Sequence, residues 1–252
     1  MLKELDQVEF DYLFVIKGYK MPVEFLDLFR KKYPKAVMIM HQWDSERNNP
    51  FSHLLAKFDK VFSFDPVDLK KYPQLEYLPN FYLEDIYTGS KCAIQYDILF
   101  LASYLPERLQ ILSTLNDFAS KNRLKLKAIL IMPFTTYFKE LIKGNYIDLS
   151  FIKFSPLCRS EYLKLFWASK IIFDMGSKTQ TGMSQRTIET IECGKKLLTN
   201  NTYIKDEEIF NEDQVFIVSD ALSSEIISFV EKPFIPRNTG YSLQSWISRI
   251  FR

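Results

Sequence analysis

Short, unbroken apolar runs alternate with amphipathic stretches along this chain, and that alternation restricts its fold more than any other feature. FDYLFVIK at 10–17, AVMIMH at 36–41, VFSF at 61–64 and LEYLP at 75–79 read as strands. PVEFLDLFRKKY at 22–33 has helical spacing with proline at its start, a short helix lies near 51–57, and Pro66 opens a helical turn. The stretch 80–95 has mixed polarity, Gly89 and no clear period, and it reads as a linker. The pattern restarts with strands at 96–102, 126–132, near 147–152, 170–175, 195–200 and 215–218. Helices at 106–122, 134–143, 160–169, 184–193 and 221–231 lie between and after them. Strands buried on both faces lose their polar alternation, so these runs predict parallel sheets covered by helices. The fold class expected is α/β, with two successive Rossmann-like domains at 1–90 and 91–252. The final LQSWISRIF sets Leu243, Trp246, Ile247 and Ile250 on one helical stripe, which either packs against a domain or lies on a membrane surface.

Composition narrows the chemistry. Lys+Arg 33 against Asp+Glu 31 gives a net charge of +2, too balanced for a nucleic-acid binder that tracks phosphates with a basic surface. Cys92, Cys158 and Cys193 are odd in number and far apart, so they build neither a disulfide framework nor a metal knuckle, and a reducing cytoplasm is expected. Two histidines, His41 and His53, and no HExxH leave no basis for a histidine zinc site. MLKELDQVEFDYLF has no basic region followed by an apolar core, and 18 uncharged apolar residues never run together, so neither export nor a membrane span is expected. Gly 7 in 252 residues is scarce, and neither GxxxxGK[ST] nor GxGxxG occurs. Asp-x-Asp is also absent, so no metal site and no cofactor is expected.

Three of the seven glycines fall in DMGSKTQTGMSQRTIETIECGKK, from Gly176 to Gly194. A strand ending at Asp174, a loop and a helix starting near Ser184 form the layout in which a helix N-terminus receives an anion. Arg186 in the first turn would add a bidentate fork for phosphate, Glu189 offers two acceptor oxygens to paired ribose hydroxyls, and Gly194 would end the helix. Arginine and glutamate three apart on a helix also form ordinary solvated pairs, so both readings stand at this point. Arg108, at the start of the second half, is either a second phosphate contact or a surface arginine. His41 and Asp44 follow the strand at 36–41; Asp44 is a candidate general base, or else a loop cap.

The run from Glu189 to Gly194, followed by a buried strand, resembles the donor-binding domain of glycosyltransferases with the GT-B fold. Gln180 to Glu189 with Lys195 to Asn201, and FDYLFVIKG with HQWDSERNN in the first half, resemble more narrowly a bacterial group of lipopolysaccharide and capsular polysaccharide biosynthesis. The resemblance implies two Rossmann-like domains facing a cleft, a short acceptor-side domain at 1–90 and a nucleotide-sugar-binding domain at 91–252. It implies metal-independent transfer of a sugar from a nucleotide diphosphate to a glycan or lipid-linked acceptor, in the cytoplasm or peripherally at the inner membrane. Glu189 would hold the ribose, Thr181, Gly182 and Ser184 the diphosphate, and Arg186 its charge; Arg108, and Asp44 with His41, stay candidates from their loops alone. Many retaining members carry a second glutamate eight residues before the ribose-binding one; Thr181 stands there, so retaining stereochemistry is not implied. Two other functions fit the same architecture, a non-catalytic nucleotide- or partner-binding subunit and a nucleotide-sugar epimerase.

Overall fold

The computed structural model describes residues 8–90, 92–218, 222 and 224–252. They form two compact α/β units, each with its own parallel sheet. The first comprises the described residues up to Asn80 together with Ser177–Met183 and Gln244–Arg252; the second comprises Phe81–Gly176 and Ser184–Leu243.

In the first unit, β1 (Tyr12–Ile16), β2 (Val37–Gln42), β3 (Lys60–Ser63) and β4 (Glu76–Tyr77) pair in parallel in that order. α1 (Val23–Lys32) connects β1 to β2, and α2 (Pro66–Lys71) connects β3 to β4. One face of β1 and β2 sends Val15, Met38 and Met40 into a core with Leu26 and Phe29 of α1. Because side chains alternate along a strand, Phe14 and His41 point the other way, and there Trp246 meets them at ring-centroid distances of 6.0 and 4.8 Å. Trp246 belongs to α8 (Leu243–Ile250), the last helix, whose apolar stripe therefore packs on the first sheet although it ends the chain.

The loop Ser177–Met183 is also held within the first unit. Asp65 caps α2 by accepting from the Val67 amide, and the Thr181 amide and hydroxyl both donate to the same carboxylate. Ser45 donates to the Thr179 carbonyl and Asn80 to the Met183 carbonyl. Gly182 lies so close to Phe64 that a Cβ would fall 2.3 Å from both the ring and the carbonyl oxygen.

The second unit carries six strands: β5 (Tyr96–Ser103), β6 (Leu126–Ile131), β7 (Ile152–Lys153), β8 (Ser169–Asp174), β9 (Lys196–Thr199) and β10 (Val215–Ile217). Their order is β10-β9-β8-β5-β6-β7, all parallel. The chain thus winds outward from β5 to β7, returns beside β5 with β8, and winds outward the other way, which is the order of a Rossmann sheet with a switch point between β5 and β8. α3 (Pro106–Lys121), α4 (Phe134–Ile142), α5 (Arg159–Trp167), α6 (Gln185–Glu192) and α7 (Glu225–Glu231) make the connections and the final cover. Ile98, Phe100, Ile171, Phe173 and Leu198 of the central strands pack with Leu112, Leu115, Ile226 and Phe229. The α/β fold of two Rossmann-like units is as the alternation of apolar runs predicts.

Local differences have local causes. The run near 147–152 forms a 3-10 turn, Leu149–Phe151, capped by Asp148, and leaves only two residues for β7. The stretch read as a linker is pinned down: Ile86 is buried, its carbonyl accepts from the Trp167 indole, and Asp85 meets Arg159. Of the helix expected at 221–231, Ala221 and Ser223 lie outside the described residues. No helix among the described residues is long and apolar enough to cross a membrane. Replacing Gly182 by alanine should cost about 1–3 kcal/mol through overpacking against Phe64, read as a lower urea or thermal midpoint. An unchanged midpoint would show that the loop does not rest on Phe64.

Candidate functional site

The carboxyl ends of β5 and β8, where winding reverses, are where ligands lie in sheets of this order. A pocket of about 410 Å³ opens there within the second unit. Leu101 to Ser103 at the end of β5 and Ile131 at the end of β6 form one wall; Arg159 and Tyr162 of α5 and Arg186 and Glu189 of α6 form the other.

The wall from α6 is anchored by one buried carboxylate. Asp174, the last residue of β8, accepts hydrogen bonds from the Ser184 hydroxyl, the Thr187 hydroxyl at 2.7 Å and the Arg186 Nη1 at 3.1 Å. Ser184 is the N-cap of α6 and accepts in turn from the Thr187 amide at 3.1 Å, so cap, helix and strand end share one network. The same Arg186 Nη1 donates to the Leu101 carbonyl at 2.7 Å, tying β5 to β8 across the switch point. Burial opposes the Arg186 charge most strongly of any one cause, but Asp174, Tyr162 and Glu189 together outweigh it and hold the guanidinium above its usual pKa. At its other end α6 stops at Gly194 with φ of +62°, where Gly194 and Lys195 donate to Ile191 and Thr190 in a paired left-handed cap.

Glu189 is only 2% exposed, and its carboxylate is already engaged. Arg159 approaches one oxygen at 2.8 Å and Tyr162 donates to the other at 2.6 Å. Burial, and then the neighbouring carboxylate, raise the Tyr162 phenol well above its ordinary range, so it stays a donor. Arg159 loses hydration on burial, yet Asp85 and Glu189 more than restore its charge, and it lies 5.1 Å over the Tyr162 ring. Cys193 is pushed up to about 12 by burial and by the Glu189 charge, which leaves an inert thiol beside the site.

The structure brings Arg186 and Glu189 of the sequence-predicted residues into this pocket and sets Ser184 at the helix start behind them. Arg108 is close by: it donates to the carbonyls of Ser103 and Met175, each at 3.1 Å. The Nε atoms of Arg108 and Arg186 are both buried and have no hydrogen-bond partner among the described residues. Thr181 and Gly182 belong to the first unit, as do His41 and Asp44. Asp44 there pairs with Lys17 and accepts from Asn49 at 2.6 Å. His41 is fully buried, with Nε2 3.3 Å from the Leu78 carbonyl, and burial lowers its pKa to about 4.

Sequence reasoning missed Arg159, Tyr162, Asp174 and Asp85. Arg159 and Tyr162 are three apart near the start of a helix read only for its apolar face, and Asp174 read as the end of a strand. Nothing in sequence joins 85 to 159 or 159 to 189; those contacts exist only once α5 packs beside α6.

Proton NMR should show the His41 ring neutral throughout the neutral range, its signals moving only as pH falls toward about 4. Because its folded pKa lies below the free value near 6.5, His41 contributes stability that is present above pH 6.5 and lost as pH falls toward 4. A midpoint near 6.5 would show that the ring is not buried.

No family model matches the chain, and no curated protein sequence matches it. Among solved structures it is similar to AviGT4, described as a glycosyltransferase involved in avilamycin A biosynthesis, with a TM-score of 0.57 and 11% identity over 98% of this chain and 71% of that one. It is also similar to a chain of the GtfA/B complex, with a TM-score of 0.49 and 14% identity over 92% of this chain and 51% of that one. The chain therefore spans about half the length of the second structure and about seven tenths of the first. At such identities the likeness is one of fold, of the GT-B type that the sequence resembles.

Proposed function

We propose that the chain is a glycosyltransferase that takes its donor, a nucleoside-diphosphate sugar, in the pocket at the β5/β8 switch point, and transfers the sugar to a glycan or lipid-linked acceptor of a surface polysaccharide. The observation that carries the reading is a pocket at the switch point walled by Arg159, Arg186 and Glu189, with Arg108 bound to the Ser103 carbonyl at its edge. Cationic side chains gathered at the carboxyl ends of the strands favour an anionic occupant. The fold shared with AviGT4 agrees with that occupant being a nucleotide sugar.

In this mechanism Arg186 and Arg108 neutralise the leaving diphosphate, where charge develops as the sugar departs. The cap and carboxylate network on Asp174 keeps Arg186 in place, so little reorganisation is needed at the moment of transfer. Glu189 takes the ribose hydroxyls and shares its oxygens with Arg159 and Tyr162; Arg159, tethered also to Asp85, gives way for the donor. Ser184 holds the helix start, Thr181 gives its amide and hydroxyl to Asp65, and Gly182 packs on Phe64, so these two shape the preceding loop. Asp44 is the acceptor-side base in this reading, released from Lys17 when acceptor binds, while His41 stays a neutral ring buried against Trp246 near the end of the strand before it.

A second reading, a non-catalytic nucleotide-binding subunit, is favoured by the engagement of Asp44 with Lys17 and Asn49 and of Glu189 with Arg159 and Tyr162. Calorimetric titration with UDP-, GDP- and dTDP-linked sugars should show binding of one of them, and no binding of any would sink both readings. Binding without consumption of the donor, with glycan and lipid-linked acceptors supplied, selects the second. Glu189→Gln should weaken nucleotide binding by about tenfold or more, the worth of a hydrogen bond to a charged group. The milder Tyr162→Phe serves if that variant does not fold.

A further inference from the structure

A second cavity, of about 510 Å³, opens at the amino ends of β8 and β9, the far end of the sheet from the pocket at the switch point. Lysines surround it. Lys170 stands second in β8, Lys195 precedes and Lys196 opens β9, and Lys232 follows α7. Two of the four are matched by carboxylates: Lys170 pairs with Asp97 at 2.8 Å, and Lys232 pairs with Asp213. Lys196 donates to the Asp213 carbonyl, feels the charge of the same residue and lies 4.3 Å over the Phe229 ring.

Lys195 has no such match. It is 8% exposed, and no carboxylate pairs with it among the described residues. Its Nζ donates to the Ser169 carbonyl at 2.6 Å and, more weakly, to that of Trp167 at 3.5 Å, and it faces the Trp167 and Phe166 rings at 4.9 and 5.3 Å. A buried ammonium without a counter-ion releases its proton more readily than an exposed one, and carbonyls accept from the neutral amine as well. Burial pushes Lys195 down to about 8, and only the Cys193 thiol works against it. The other titratable groups lining the cavity are the three further lysines and Glu231.

The residue also joins two helices. Its amide closes α6 by donating to the Thr190 carbonyl at 3.0 Å, and its Nζ meets carbonyls at the end of α5, where a cation suits the helix dipole. These are the trailing ends of the two helices that wall the pocket at the switch point.

We propose that Lys195 is a covalent modification site, acylated at its amine by a small activated acyl group, an acyl phosphate or a thioester, that enters through this cavity, and that acylation releases the tie between the ends of α5 and α6. Ile94, Val230 and Phe234 give the cavity apolar walls for the acyl chain. The uncharged amine attacks the acyl carbon; a C–N bond forms as the C–O or C–S bond breaks. Phosphate or thiolate leaves with the bonding pair, and the amine's proton passes to water. The product amide carries no charge and a single N–H, so it cannot serve both carbonyls. Neither sugar donor nor acceptor enters the measurement, so the inference stands apart from the transfer reading.

The full chain is incubated near pH 8 with acetyl phosphate and, separately, with acetyl-coenzyme A, and acetyl-lysines are located and timed by peptide mass spectrometry. A short unstructured peptide bearing one lysine shares the tube. Lys195 should be labelled by at least one reagent about tenfold or more faster than the peptide, because a far larger fraction of its amine is neutral there. Its rate should level off above about pH 8, whereas that of the peptide keeps climbing beyond about pH 10. Labelling should lower the unfolding midpoint of the unaltered chain. Lys195→Arg keeps a cation and a donor but has no reactive amine, and under the same treatment it should keep its own midpoint. Labelling of Lys195 no faster than the peptide, or a rate that climbs without levelling, overturns the proposal. So does an equal fall of midpoint in the two chains.

Discussion

Asp174 ends β8 at the point where the second sheet reverses its winding, and the site depends on how its carboxylate is satisfied. A buried carboxylate without partners costs several kcal/mol, so its three donors are not incidental to the local fold. Ser184 donates from the N-cap of α6, Thr187 from its first turn and Arg186 from between them. The helix therefore cannot rotate or slide relative to β8 without breaking all three. Glu189, one turn further along, takes its position from that clamp, and Arg186 extends the clamp to β5 through the Leu101 carbonyl. The pocket between β5, α5 and α6 is thus a consequence of how one charge is buried.

The arrangement also changes what the arginine and glutamate of α6 are. As a pair on a helix surface they would be worth little. Here each faces a different partner, Asp174 for Arg186 and Arg159 for Glu189, and each ion pair is shielded from water on at least one side. Charge in the pocket wall is close to balanced before anything binds. On the proposed function, an incoming diphosphate would meet guanidiniums already oriented by carbonyls and carboxylates, and a ribose would compete with Arg159 for Glu189.

The alternation of apolar runs made the α/β class legible because buried parallel strands such as Ile98–Leu101 and Ile171–Phe173 have no polar residue to interrupt them. The strand, loop and helix around Gly176 to Gly194 were legible for the same reason, aided by the cap residue Ser184 and by Gly194 after the helix. Edge strands were not, since two or three residues of pairing leave no periodicity to read, as β7 and β4 demonstrate. Nor was the origin of the loop glycine: Gly182 is small because Phe64, over a hundred positions earlier, occupies the space of its side chain. Arg159 and Asp85 escaped because an ion pair between positions 74 apart has no signature along the chain.

The helices α8 and α4 illustrate a further limit. α8 and α4 both carry strong periodicity, and sequence alone cannot distinguish a stripe that faces a core from one that faces solvent. Trp246 of α8 is buried against Phe14 and His41, so the helix stabilises the first sheet by covering its second face. In α4 the same kind of pattern points outward, because the inward side is occupied by Glu140 with Lys143 and Asn145. Folding alone gives no reason to keep Phe138 and Ile142 in water, where each exposes apolar area that burial would stabilise by roughly 1.5–3 kcal/mol. Their retention on one face, beside the pocket wall, is intelligible when that face is covered in use.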